Sequence, residues 1–206
     1  MTNPQAVKFE TPDRGEESAR ANLYGLLASL FYLPPSQTLL DAIAAAVPGG
    51  DGEGVLELAW KELAATCKQA RVQQVKDEYE SLFISVGKPE VILYGSYYIS
   101  GFMMEKPLVE LRSELARLGL ERAETVVEPE DHIASLCEVM RYFITSEDIT
   151  LASVTAQKSF FAAHLQPWVP EMCQALESHP EARFYAVLAK FARVFFEVES
   201  QAFDMA

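Results

Sequence analysis

Cysteine is scarce in this chain of 206 residues: Cys67, Cys137 and Cys173 stand far apart, with no Cys-x-x-Cys pair among them. An odd, dispersed set supports neither a disulfide framework nor a zinc ribbon, and it fits a reducing compartment. Histidine is limited to His132, His164 and His179, without His-x-x-x-His or Glu-x-x-His spacing, so no metal site is expected. Positive charge is also short. Lys and Arg total 17 against 30 Asp and Glu, a formal net charge of -13 that repels phosphate backbones and anionic headgroups. Nucleic acid and stable membrane insertion are thereby poor expectations, and the longest apolar stretch, Leu23 to Leu33, is far short of the roughly 20 residues a bilayer requires. The glycine run Pro48-Gly-Gly-Asp-Gly-Glu-Gly54 is followed by Val55 and Leu56, not by the Lys and hydroxyl residue of a phosphate loop, so no cofactor is expected. The N-terminus has no apolar core of signal-peptide length and carries acidic residues; 1–15 reads as a flexible cytoplasmic start, and 16–206 as a single domain.

What is abundant is apolar residues at helical spacing, in a chain that is 50% hydrophobic and 11% aromatic. Ala19, Leu23, Leu26, Leu27 and Leu30 predict a first helix stopped by Pro34-Pro35, and Ser36 reads as the N-cap of a second carrying Leu39, Leu40, Ile43 and Val47. Further stripes run through Val55 to Leu63, Val72 to Phe83, Leu108 to Leu118 between Pro107 and Gly119, Ile133 to Phe143, Ile149 to Phe161, Met172 to Leu176 after Pro167, and Phe184 to Val198. Ser85 to Ser96 loses the period and reads as an unusually apolar loop, in which Val91 to Leu93 alone hints at alternation. The expected fold is all-α, one globule of roughly nine or ten helices. Its core should include Phe83, Leu111, Leu136, Phe160, Leu188 and Phe191.

Two segments concentrate chemistry. Glu128-Pro129-Glu130-Asp131-His132 has two readings: a helix start with Pro129 in the first turn and carboxylates as caps, or an Asp131 that orients His132 or joins it in binding a cationic or amide-bearing ligand. A hydrolase built on His132 would need a nucleophile, and Ser96 lacks a Gly-x-Ser-x-Gly frame while Cys137 lies on an apolar stripe. The segment Tyr94-Gly-Ser-Tyr-Tyr-Ile-Ser-Gly-Phe-Met-Met104 reads either as core or as an adaptable surface for apolar peptide segments. In Phe160 to Trp168, His164 reads as a structural or capping residue at a helix end.

Tyr79-Glu-Ser-Leu82-Phe83, Tyr94-Gly-Ser96-Tyr97-Tyr98, Glu128-Pro129-x-Asp131-His132 and Phe160 to Trp168 occur in an order and spacing that resembles the TorD/DmsD/NarJ-like family of redox enzyme maturation chaperones. The resemblance implies an all-helical cytoplasmic chaperone, monomer or homodimer. Such a chaperone binds the twin-arginine leader or body of a molybdopterin-containing oxidoreductase subunit and holds back export until the cofactor is inserted. It places Asp131, His132, Glu128 and Pro129 at the leader-binding region, with Tyr94, Ser96, Tyr97, Tyr98 and Met103 nearby. One departure stands out: the family often has a proline and an acidic residue just ahead of the serine, where this chain has Leu93 and Gly95. A small-molecule enzyme using Asp131 and His132, and a helical regulatory module, remain as alternatives from the residues alone.

Overall fold

The computed structural model describes residues 14–46, 54–84 and 88–206. Of the expected flexible start, residues 1–13 lie outside the described residues, as do 47–53 of the glycine loop and 85–87 of the loop that follows. Ten helices run in order: α1 Arg14–Tyr32, α2 Gln37–Ala45, α3 Val55–Gln69, α4 Val72–Phe83, α5 Gly95–Ser100, α6 Lys106–Arg117, α7 Ile133–Thr145, α8 Val154–His164, α9 Val169–Ser178 and α10 Phe184–Met205. The described residues form no strand, only an isolated antiparallel bridge between Tyr94 and His132. The all-helical expectation therefore holds, and no helix among the described residues is long and apolar enough to cross a membrane.

Two long pairings organise the body: α1 lies along α7, and α10 packs against α3, α4, α8 and α9. Helix α10 buries Phe184, Leu188, Phe191, Phe195 and Phe196 among other residues, an apolar face broad enough to serve several neighbours. Tyr24 of α1 meets Phe195 edge-on at 4.9 Å, joining the two pairings. Ser36 caps α2 as expected, its hydroxyl accepting from Leu39 N–H at 3.2 Å. The start of α10 is capped from afar: the Glu78 carboxylate of α4 accepts the N–H groups of Arg183, Phe184 and Tyr185 at 2.8, 3.1 and 2.8 Å.

Several expectations need correction. The stripe assigned to α1 is only partly the sealed one: Leu27 and Leu30 are buried as expected, but Ala19 is exposed and Leu23 and Leu26 are half-buried, and Tyr24, Ala28 and Phe31 complete the sealed face. Tyr24 is admitted because its hydroxyl has a partner, the Glu199 carboxylate at 2.9 Å. The helix expected from Ile149 starts only at Val154: Ile149 lies ahead of it and is exposed, Val154 is exposed too, and Phe160 and Phe161 are buried. Phe83 is half-buried at the edge of the core, whereas Leu111, Leu136, Phe160, Leu188 and Phe191 are buried as expected. The proline inside the first turn of α9 is Pro170, not Pro167.

Candidate functional site

The two chemistry-rich segments meet. Between α4 and α5 the buried residues Val91, Ile92 and Leu93 cross the body, and their backbone pairs with the approach to α7. Gly95 N–H donates to Asp131 C=O at 3.0 Å and Ile133 N–H to Leu93 C=O at 2.9 Å. The Asp131 side chain completes the junction, its Oδ2 accepting Ser96 N–H at 2.9 Å in the first turn of α5. Asp131 thus caps α5, a helix distant in sequence, and does not orient His132.

His132 is the N-cap of α7, its Nδ1 accepting Ala134 N–H at 3.1 Å. Helix α7 starts at Ile133, so Pro129 is not in its first turn; it sits in the preceding turn, where its carbonyl accepts His132 N–H at 3.1 Å. The imidazole packs edge-on against Tyr94 at 5.1 Å and Tyr32 at 6.3 Å. Burial pushes it down to about 4. The geometry agrees, because a protonated Nδ1 could not accept from Ala134 and a cation at a helix N-terminus is disfavoured. The Tyr94 hydroxyl donates to Glu128, and burial together with that bond raises it well above the usual tyrosine range.

This junction is sealed: Ser96 is 1%, Asp131 4% and His132 3% exposed. An acid–base pair open to a small substrate is not what these residues form. Ser96 Oγ accepts Met104 N–H at 3.1 Å, and Cys137 is buried, its thiol pushed up by that burial, so neither is poised as a nucleophile. No group of three His, Cys, Asp or Glu that could hold a metal occurs among the described residues.

Outside the junction, α5 presents two faces. Tyr98 faces inward, its hydroxyl donating to Ile92 C=O at 2.9 Å and its ring stacked on Trp168 at 5.5 Å. Tyr97 meets Lys88, whose ammonium lies 3.1 Å from the hydroxyl and 5.0 Å from the ring centroid. Gly95 has no room for a side chain, since a Cβ there would come within 2.9 Å of Trp168 Nε1. After α5 the chain turns through Gly101 at φ 85° and Met104 at φ 60°, a left-handed conformation that costs a side-chain-bearing residue on the order of 1–3 kcal/mol. The bond from Met104 N–H to buried Ser96 holds that turn, and the turn throws Phe102, Met103 and Met104 outward, 70%, 47% and 71% exposed. Ile99 of α5 and Val109 of α6, on the two helices that this turn connects, are exposed as well and line one trough.

On the other side of the motif lies a cavity of about 370 Å³ whose walls include Ala28 and Tyr32 of α1, Leu115 of α6, Val126, and Ala134 and Val139 of α7. Glu130 stands at its edge, gripped by Arg112 at 2.8 Å and Arg122 at 3.5 Å. Burial works against its charge, but a backbone hydrogen bond and Arg112, then Arg122, keep it below the usual carboxylate range. Sequence reasoning missed Tyr32 as the ring against His132, and it missed the exposed Val109 of α6. The apolar Val109 standing off the Leu108–Leu111–Leu115 stripe was the available signal.

Residues 53–174 match the family model described as nitrate reductase delta subunit. Chaperone protein TorD of Vibrio cholerae (strain ATCC 39541) is 23% identical over 203 residues, covering 90% of this chain and 92% of its own. Chaperone protein TorD of Psychrobacter sp. (strain PRwf-1) is 25% identical over 206 residues, covering 91% and 92%. Among solved structures, an Archaeoglobus fulgidus protein described as a redox enzyme maturation protein shares the fold, with a TM-score of 0.57 at 24% identity, over 94% of this chain and 99% of its own. Both curated relatives are named as chaperones. With the family model matched over more than half its length, the chain belongs to the nitrate reductase delta subunit family, to which its resemblance to TorD-like maturation chaperones had pointed.

Proposed function

We propose that this protein is a cytoplasmic chaperone for an oxidoreductase subunit, binding the twin-arginine leader of a molybdopterin-containing enzyme and holding back export until its cofactor is in place. The observation that carries this reading is the exposed run Phe102, Met103 and Met104 together with Ile99 and Val109, on a chain of net charge -13. A leader offers guanidinium groups followed by an apolar run, and such a surface suits both. Met side chains adapt to varied apolar partners, and the left-handed turn fixes where they stand.

In this reading Tyr97 and Met103 meet the leader. Asp131, His132, Glu128, Pro129, Tyr94 and Ser96 form the frame that holds α5 in place, with Tyr98 anchored on Trp168. Titration calorimetry with a synthetic peptide carrying Arg-Arg and a following Leu- and Ala-rich run tests it. Phe102→Ser combined with Met103→Ser should weaken binding by about tenfold or more, since each apolar side chain covered by a partner contributes on the order of 1.5–3 kcal/mol. Unchanged affinity in the folded double variant would remove this surface as the docking site.

A further inference from the structure

Ile99, Pro107, Val109, Ala163 and Pro167 line an open trough of about 460 Å³ between α5, α6 and the end of α8. Glu110 and Glu114 of α6 also line it, one helical turn apart. We propose that this trough is the subsite for the arginine side chains of a bound basic–apolar peptide, with Glu114 as the residue that selects guanidinium. The inference rests on the leader-binding reading and places its charged half on a surface the sequence motif does not contain.

Charge complementarity sets the occupant. The motif carboxylates are already engaged: Asp131 by Ser96 N–H, Glu128 by the Tyr94 hydroxyl, and Glu130 by Arg112 and Arg122. Glu114 differs. Its side chain is 25% exposed, and its Oε2 is held by His164 Nε2 at 2.8 Å, which fixes the carboxylate before any ligand arrives. No hydrogen bond among the described residues uses the other oxygen. Glu110 is paired with Lys106 at 3.3 Å, both largely exposed, a pairing worth under about 1 kcal/mol that an incoming cation can displace. Arg117, the cation at the trough itself, is turned back to Ser113 C=O at 3.4 Å.

An arginine suits this arrangement better than a lysine. Its methylene stem can lie on Val109 and Pro167 while the planar head meets a fixed carboxylate, whereas lysine offers only a point charge. The peptide's apolar run then continues over Ile99 toward Phe102 and Met104.

The test is a double-mutant cycle by calorimetry, pairing wild type and Glu114→Gln with the Arg-Arg peptide and its Gln-Gln analogue, circular dichroism confirming that the variant is folded. Wild type should prefer Arg-Arg by about tenfold or more, and Glu114→Gln should lose most of that preference, because one charge-assisted bond is worth roughly a factor of ten. Glu110→Gln should lose a smaller part. If wild type does not distinguish the two peptides, the leader reading itself fails. If wild type distinguishes them and both variants do so equally, the reading stands and the trough assignment is overturned.

Discussion

Two buried polar junctions hold this molecule, and they are made of opposite materials. At one, Arg20 of α1 grips Glu199 of α10 with two bonds of 2.7 Å, Tyr24 adds a third at 2.9 Å, and Gln157 of α8 accepts from Arg20 at 3.2 Å. At the other, Asp131 and His132 are both occupied by backbone N–H groups, those of Ser96 and Ala134. The first joins three helices around an ion pair, with α8 contributing the neutral Gln157. The second joins a short helix and a long one through main-chain donors. A largely buried charge pair is sensitive to losing either partner, whereas a side chain that caps a helix can be replaced by any acceptor of similar reach. The difference teaches that the denser motif in the sequence marks the more replaceable junction.

The largest effect should come from Glu199→Ala, which strands the Arg20 guanidinium and the Tyr24 hydroxyl; unfolding in urea should show a loss of about 3–5 kcal/mol. Replacing Arg20, Tyr24 and Glu199 together by Met, Phe and Leu should cost far less, and an equal loss would show that the network contributes more than the burial of its charges. Next is the acid response of the other junction. With His132 at about 4 when folded against 6.5 when free, the unfolded chain binds the extra proton between those values. Stability from this residue is therefore complete above pH 6.5 and lost as pH falls toward 4, by up to about 3 kcal/mol. His132→Asn keeps a cap acceptor and should flatten that part of the pH–stability curve; an unchanged slope would assign it to other groups. The smallest effect is at Asp131. Removing its carboxylate in Asp131→Ala should cost about 1–3 kcal/mol, and Asp131→Asn, which retains an acceptor, under about 1. Equal losses in the two variants would mean that its charge, not its hydrogen bond to Ser96, supports α5.

The helices were legible because period and punctuation agree: Ser36, Pro107 and Gly119 stand where starts and stops need them. The faces were less so. Tyr24 looks amphipathic in isolation and is sealed only because Glu199, far along the chain, brings a carboxylate to it. The same holds for Glu78, which looks like a solvated residue on α4 and in fact closes the start of α10. At the candidate site, the proximity of Tyr94 and Ser96 to Glu128, Asp131 and His132 accords with the family resemblance, yet their burial could not be read, because composition does not say which side chain a distant backbone will occupy. Glu114 was missed for a related reason. Its meaning depends on His164, fifty positions away.

Gly95 and Trp168 make one further consequence concrete. The indole Nε1 would stand 2.9 Å from any Cβ at position 95, and that ring is also the platform on which Tyr98 stacks. A relative carrying an acidic residue just ahead of the serine has to shift an indole standing in this place. Positions 95 and 168 should therefore vary together across homologues, small with large and large with small, with position 98 changing when the platform does. An alignment deep enough to count such pairs would show this three-way dependence as a covariation signal, and it would sort the family by the shape of its α5–α9 contact before any client is known.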